Sequence, residues 1–349
     1  MATRNLTAVE GLRFLLFLGI FVFHCISNWL PIGWGGVEAF LVITSYFLTS
    51  KYLKTEQRYI NVGGAFVHRI KRLYPVYMTI IISGIGAYLL YTGTFNRVFF
   101  WYLFSAQNFR CLYPDASYSL GFLFGHFWYI SLDVWLFLIW IVLLKKVPRN
   151  YYRTAFIIAL LVGVVWRTTF LLLKPDNISI SYMIPIGMLD SFALGGLVAL
   201  NVKEKGNSNR IMWSELLVGA FGVLALTIYN ANLHYCSLGE SYQLYHSAAG
   251  YMSNPITGNV HFFIALFFVG ALRYCIDSTK KHPFLSATPL VALGGMTYEL
   301  YCFHYPIRSV ADHFISNDVL MVLSALCATL IVSMLWNKWV TPIIKRVFH

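Results

Sequence analysis

The chain has 349 residues, of which only 11% are charged while 58% belong to the hydrophobic set and 17% are aromatic. An average soluble domain carries about 25% charged residues, so this composition argues against a cytosolic enzyme and favours an integral membrane protein. The formal net charge of +12 raises the possibility of nucleic-acid binding, which depends on where the 26 Lys and Arg residues lie.

About ten apolar stretches are each long enough to cross a hydrocarbon core as a helix. In chain order they cover 12–30, 34–50, 76–93, 127–144, 154–173, 183–201, 212–230, 260–276, 290–310 and 319–337. They leave room only for loops and tails, so residues 1–349 are expected to form one all-α transmembrane domain with no separate soluble domain. The first stretch lacks a signal-peptide cleavage pattern and is expected to remain as an anchor.

The basic residues are distributed unequally between the two predicted sides of the membrane. With the N-terminus in the cytoplasm, most of the 26 Lys and Arg residues fall in the loops and tails on the inner side, including the clusters within 51–72 and 145–153. The positive-inside rule accounts for this distribution. We therefore expect a multipass protein of a bacterial-type cytoplasmic membrane with both termini in the cytoplasm, in contact with the lipid bilayer and not with nucleic acid.

The first predicted helix carries two ionisable residues, Arg13 and His24. Eleven residues at 100° each complete three turns with about 20° left over, so both side chains share one helix face about 16 Å apart. An extended donor with an anionic head on the cytoplasmic side and a reactive far end would fit this span. Coenzyme A is such a molecule.

Other ionisable residues lie at similar predicted depths below the outer membrane boundary. Because each costs at least about 2.5–3.5 kcal/mol at mid-bilayer, such residues are usually retained for a reason. Six groups are expected in one hydrated layer: His24, Glu38, Asp133, Arg167, Asp190 and His304. The alternative is that some of them form structural ion pairs, such as Arg167 with Asp133 or with Asp190.

A basic run at 68–75 precedes the third predicted helix, with Pro75 expected in its first turn. If the run is helical, Arg69 and Arg72 at positions i and i+3 point the same way and suit a phosphate group. The alternative is a stop-transfer cluster that serves topology alone.

Five segments carry a resemblance to a known family. They are Gly11-Leu12-Arg13 with His24, the segment 36–48 beginning Gly36-Val37-Glu38, Arg69 with Arg72, Trp128-Tyr129-Ile130-Ser131-Leu132-Asp133, and Thr297-Tyr298-Glu299-Leu300-Tyr301 with His304 and Pro306. In this order the chain resembles membrane-bound acyltransferase family 3, whose members include O-antigen and exopolysaccharide acetyltransferases. It departs from the family pattern at Glu38 (usually Asp), Asp133 (usually Glu), Tyr46 (usually Gly), Val134 (usually Glu) and Trp135 (usually Gln).

The resemblance implies an O-acyltransferase. An acyl group, usually acetyl, would pass from cytoplasmic acyl-CoA, the donor substrate, to a hydroxyl of a glycan or lipid-linked sugar at the outer face, with glycan-biosynthesis proteins as further partners. Arg69 and Arg72 would hold the donor phosphates, and Arg13 would guide the pantetheine arm or a phosphate. Segments that match the family also contain Ser131, Glu299 and His304, which we expect to support the site.

His24 is suited to removing a proton from the acceptor hydroxyl because imidazole titrates near neutral pH. Glu38 or Asp133 could orient its ring, as the carboxylate of a catalytic triad does. Alternatively, His24 itself carries the acyl group before the acceptor arrives. A function of another class, that of a secondary transporter with an intramembrane proton relay, would fit the same ionisable residues. The sequence, however, shows neither the repeated halves nor the paired broken helices that are typical of such transporters.

The cysteines and the two longest outer loops give weaker signals. No ligand spacing typical of a metal site occurs among the Cys and His residues. Cys111 and Cys236 lie in two loops predicted outside, where an oxidising compartment would permit a disulfide. The same loops, 94–126 and 231–259, are rich in aromatic side chains such as Tyr118, which suit either sugar stacking or a membrane-interface belt.

Overall fold

The computed structural model describes residues 4–113, 124–252, 254–277 and 282–348. In these ranges the chain is helical and contains no strand, which confirms the all-α prediction. Ten long helices are numbered here in chain order: α1 (Arg4–Cys25), α2 (Gly36–Tyr52), α3 (Val62–Thr92), α4 (Trp128–Lys146), α5 (Tyr152–Leu173), α6 (Leu189–Lys205), α7 (Asn209–Leu233), α8 (Val260–Ile276), α9 (Thr297–Phe314) and α10 (Asp318–Leu335).

Eight helical stretches of the described chain are long and apolar enough to cross a membrane. They correspond to every long helix except α2 and α9, and α9 carries several charged residues. The predicted total of about ten spans and the cytoplasmic position of both termini therefore stay predictions.

The bundle is organised around α2 and α6, which pack along each other and are largely buried. Helix α6 also packs on α5, and α2 packs on α8, which pairs with α7. Helix α1 contacts α2, α8, α9 and the short helix Thr288–Gly295. This arrangement brings α1 and α9, the helices that carry His24 and His304, side by side.

Differences at the ends of α1 and α3 affect the placement of predicted site residues. Helix α1 spans Arg4–Cys25 instead of 12–30, which puts His24 in its last turn. Helix α3 begins at Val62, where the Asn61 side chain accepts from the Gly64 amide at 2.9 Å. Pro75 therefore lies inside α3, and the prediction that it starts this helix is wrong.

The predicted stretch 290–310 is two helices in the structure. Thr288–Gly295 and α9 are separated at Met296, whose ψ angle of 11° breaks the helical path. Glu299, Tyr301 and His304, polar residues of the stretch that concern the site, all lie on α9. Short helices between the long ones occupy Phe99–Leu103, Ser179–Met183, Leu238–Gln243, Ala248–Tyr251 and Thr341–Phe348, the last following a π-helical turn at Trp336–Val340.

Close backbone contact fixes α1 against the short helix Thr288–Gly295. A Cβ added at Gly294 would lie 1.9 Å from the carbonyl oxygen of Glu10, whereas one added at Gly295 would meet no atom within 4 Å. We therefore expect Gly294→Ala to lower the free energy of unfolding by about 1–3 kcal/mol through overpacking. Gly295→Ala is the matched control and should leave thermal unfolding in detergent unchanged or slightly raised. Equal stability of the two variants would contradict the close packing.

Candidate functional site

A cavity of about 430 Å³ lies between α1, α2, α3, α4 and α9. Its walls include the N-terminal half of α1, the part of α3 before Pro75 and the first turn of α9. Five basic side chains line it: Arg13, Lys51, His68, Arg69 and Arg72. We call this space the basic cavity. The three arginines predicted to bind the donor thus line one space, although they come from two helices.

Two carboxylates hold arginines of the basic cavity in place. Asp133 on α4 forms a salt bridge with Arg69, and both side chains are at least four-fifths buried. On α1, Glu10 pairs with Arg13 at 2.8 Å, a contact between residues three apart on one helix. The remaining arginine, Arg72, is exposed to the cavity and lies within electrostatic reach of Glu299. Asp133 therefore contacts Arg69, and the prediction that it lies with His24 is not what the structure gives.

His24 forms a hydrogen-bonded pair with His304. The Nδ1 atom of His24 lies 2.8 Å from Nε2 of His304, and Nδ1 of His304 lies 2.6 Å from the carbonyl oxygen of Tyr301. A carbonyl only accepts, so His304 carries its proton on Nδ1 and accepts at Nε2 when neutral. His24 then donates from Nδ1, and its Nε2 is left unprotonated. This is the form of imidazole that acts as a base.

Two helices connect the histidine pair to the basic cavity. Tyr301 lines the cavity with its side chain and fixes His304 with its carbonyl oxygen. Helix α1 also links the cavity to the histidine pair, because Arg13 lines the cavity and His24 lies eleven residues further along the same continuous helix. At 1.5 Å per residue this separation is about 16 Å. One helix therefore joins a cation at the cavity to a base at its far end.

A family model described as an acyltransferase domain matches residues 6–337. This range contains both the basic cavity and the histidine pair. The chain belongs to acyltransferase family 3. The match confirms the resemblance that the five sequence segments carry.

Two curated relatives from Staphylococcus aureus extend the acyltransferase 3 assignment. O-acetyltransferase OatA of strain NCTC 8325 / PS 47 is 24% identical over 370 residues, covering 99% of this chain and 58% of the relative. Putative O-acetyltransferase SACOL0978 of strain COL is 22% identical over 333 residues, covering 90% of this chain and 53% of the relative. The chain thus spans slightly more than half the length of these relatives. No solved structure matches it.

Glu38 of this acyltransferase 3 chain lies apart from His24. Its Oε1 atom is 2.5 Å from Nδ1 of His261 on α8, and both side chains are almost completely buried. His261 in turn lies 3.4 Å from the hydroxyl of Tyr251. The expectation that Glu38 or Asp133 orients the His24 ring is therefore corrected, since His304 makes that contact. Glu38 belongs to a separate buried network.

Arg167 and Asp190 form an ion pair with no exposed side-chain surface. Arg167 also donates to the carbonyl oxygen of Gly187 at 2.7 Å, while Asp190 accepts from the Ser191 amide at 2.9 Å. The sequence left Asp133 and Asp190 as alternative partners of Arg167, and the structure shows the pair with Asp190. The six ionisable residues expected in one layer are thus divided between the Arg69–Asp133 pair, the Glu38 and Arg167 networks, and the histidine pair.

Two residues beside the histidine pair are absent from the sequence-based site. His126 is buried, with its ring 5.0 Å from that of His304, and Tyr305 stacks on His126 at 4.9 Å while meeting His24 edge-on at 5.2 Å. The predicted fourth stretch begins one residue after His126, so this residue counted as loop. His261 lies inside the predicted stretch 260–276, at its second position, but was not among the predicted site residues. A search for histidines at helix ends would have found both.

The residues predicted to support the site lie in different parts of the structure. Ser131 donates from Oγ to the carbonyl oxygen of Ser105 at 2.6 Å and is fully buried, so it fixes α4 to the preceding segment. Glu299 lies in the first turn of α9, close to Arg72. In the described ranges, no group of three or more His, Cys, Asp or Glu residues has the geometry of a metal site.

The two loop cysteines are free thiols and do not form the disulfide considered from the sequence. Cys111 is buried and donates to the carbonyl oxygen of Asn108 at 2.9 Å. Its burial raises the thiol pKa to about 11, which keeps it protonated at neutral pH. Trp101 and Tyr113 of the first aromatic loop pack at 5.6 Å, while Tyr118 lies outside the described residues.

Proposed function

We propose that this chain is an acyl-CoA-dependent O-acyltransferase of the bacterial cytoplasmic membrane. It transfers an acyl group, acetyl in view of the names of its relatives, from the basic cavity to a hydroxyl of a glycan or lipid-linked sugar at the histidine pair. The observation that carries the proposal is the continuous helix α1, which supplies Arg13 to the cavity and His24 to the far end.

The donor phosphates are the natural ligand of the basic cavity. Five basic side chains line it against the two lining carboxylates Glu10 and Asp133, each of which pairs with an arginine. Arg72 has donors available for a phosphate, and Asp133 positions Arg69 beside it. Arginine suits this task because its planar fork binds phosphate oxygens in pairs. The pantetheine arm would then extend from Arg13 toward Tyr301.

The chemistry at the far end is one proton transfer and one acyl transfer. Nε2 of His24 takes the proton of the acceptor hydroxyl as its oxygen attacks the thioester carbonyl carbon. The carbon–sulfur bond breaks, and the CoA thiolate recovers the proton, giving an O-ester and free CoA. His304 accepts from Nδ1–H of His24, which fixes the ring orientation and presents Nε2 to the acceptor.

Purified protein incubated with radiolabelled acetyl-CoA and an extract of candidate glycans tests the proposal. We expect CoA release that depends on acceptor and labelled ester in the glycan fraction. Uptake of a solute into proteoliposomes without CoA release would instead support a transporter. In the same assay, a label trapped on the protein before acceptor is added would indicate an acyl-histidine route.

Arg69→Gln combined with Arg72→Gln should weaken acetyl-CoA binding at least tenfold, because hydrogen bonds to charged groups contribute about 1.5–3 kcal/mol each. Titration calorimetry of the detergent-solubilised protein measures this loss. The matched control is Lys71→Gln, which removes a cation from the same helix turn but does not line the basic cavity. Equal affinity of the double variant and the control for acetyl-CoA would indicate that the arginines determine topology and do not bind the donor.

A further inference from the structure

Helix α9 continues beyond the histidine pair, on the side away from the basic cavity. Its first turn lines the cavity through Thr297 and Tyr298, and His304 follows on the same helix. Arg308 lies four residues after His304, so the two side chains share one face about 6 Å apart along the axis. An acceptor that approaches His24 along this face of α9 would therefore meet Arg308.

The hydrogen-bond donors of Arg308 are only partly used by the described residues. Its only salt bridge among the described residues is to Asp312, at 3.5 Å, with 24% and 51% of the two side chains exposed. A charge-assisted hydrogen bond is normally about 2.7–2.9 Å long, so this contact is loose. The Nε atom of Arg308 is shielded from solvent and has no hydrogen-bond partner in the part of the chain that the structure describes. The guanidinium is thus held near the site with donors that the protein does not use.

Arg308 is also close to the reacting end of the site. It lies within electrostatic reach of both His24 and Cys25, the last two residues of α1. Tyr305, three residues before Arg308 on α9, meets the His24 ring edge-on. A sugar whose hydroxyl approaches His24 therefore has an aromatic ring and a guanidinium beside it.

We propose that Arg308 is an anion-binding subsite for the acceptor and that the acceptor glycan carries a carboxylate or a phosphate near the acylated hydroxyl. The inference rests on the proposed function, because it takes His24 as the position of that hydroxyl. An arginine binds either anion through its planar fork, replacing the loose contact with Asp312 by two short hydrogen bonds. The anion would also fix which hydroxyl of the sugar meets His24.

The test compares acidic and neutral forms of the same sugars on the 349-residue protein in nanodiscs. The probes are trigalacturonic acid against its methyl ester, and maltose 1-phosphate against maltose. Calorimetry measures binding, and CoA release from acetyl-CoA measures transfer. We expect one acidic form to bind at least about tenfold more tightly than its neutral partner, the effect of one charge-assisted pair. The pair that shows the preference identifies a carboxylate or a phosphate as the anion.

Arg308→Gln should abolish the preference, whereas Arg308→Lys should retain part of it because the charge remains. Arg97→Gln, which removes an exposed arginine of the segment after α3, is the control and should leave the preference intact. Equal binding of acidic and neutral forms by the unmodified protein, or a preference that survives Arg308→Gln, would overturn the subsite. A preference without CoA release would contradict the proposed function and leave the subsite standing. CoA release without a preference for the acidic form would support the proposed function and overturn the subsite.

Discussion

Replacing His24 with alanine is expected to lower acetyl transfer by about 10²–10⁴-fold, the range that general base catalysis supplies. The His24 imidazole has an unprotonated Nε2, because its Nδ1–H donates to His304. Acetyl-CoA binding should be unchanged, because the basic cavity does not include His24. Initial rates of ester formation and calorimetric donor affinity measure the two effects separately.

The control for His24 is His313→Ala, which removes an exposed histidine near the end of α9. It should transfer acetyl at the normal rate. His304 provides a finer comparison, since His304→Gln keeps an oxygen that can accept from Nδ1–H of His24 and should retain more activity than His304→Ala. Near-normal transfer by His24→Ala would remove this residue from the mechanism.

Arg167→Ala is expected to cause the largest loss of stability, about 3–5 kcal/mol, because it leaves the buried carboxylate of Asp190 without its partner. Neither side chain of the pair has exposed surface. Unfolding of the detergent-solubilised protein followed by circular dichroism measures the effect. The paired variant Arg167→Met with Asp190→Leu removes both charges and should recover much of the stability.

The matched control is the ion pair of Arg153 with Glu204, whose side chains are 43% and 48% exposed. Solvent screens such a pair, so Arg153→Ala should cost at most about 1 kcal/mol. An Arg167→Ala variant as stable as Arg153→Ala would mean that the α5–α6 contact does not depend on the buried pair.

Much of the bundle was predictable because apolar stretches of about 20 residues leave few structures possible besides membrane-spanning helices. The helix ends were less predictable. The polar beginning of α3 has no apolar signal of its own, and its start depends on the Asn61 cap, while α1 ends at Cys25 although the apolar stretch continues to residue 30. Both errors shifted the inferred depth of site residues, His24 above all.

The candidate site was predictable where residues share one helix or one short motif. Arg13, Arg69 and Arg72 line one cavity as their spacing and the family resemblance indicated. Contacts between helices could not be predicted, because periodicity shows which face is polar but not which neighbour it meets. Glu38 therefore proved to be paired with His261, and His24 with His304, through contacts more than 200 positions apart.

We propose that one helical bundle takes an acetyl group at the basic cavity and delivers it at the opposite end. The most direct measurement uses oriented proteoliposomes with radiolabelled acetyl-CoA outside, on the cavity side, and a glycan acceptor enclosed. We expect O-acetylated glycan inside, formed at a rate that His24→Ala lowers at least a hundredfold, the lower end of the effect of a general base. Ester formation only when donor and acceptor share one compartment, or transfer that is indifferent to His24, would contradict the account.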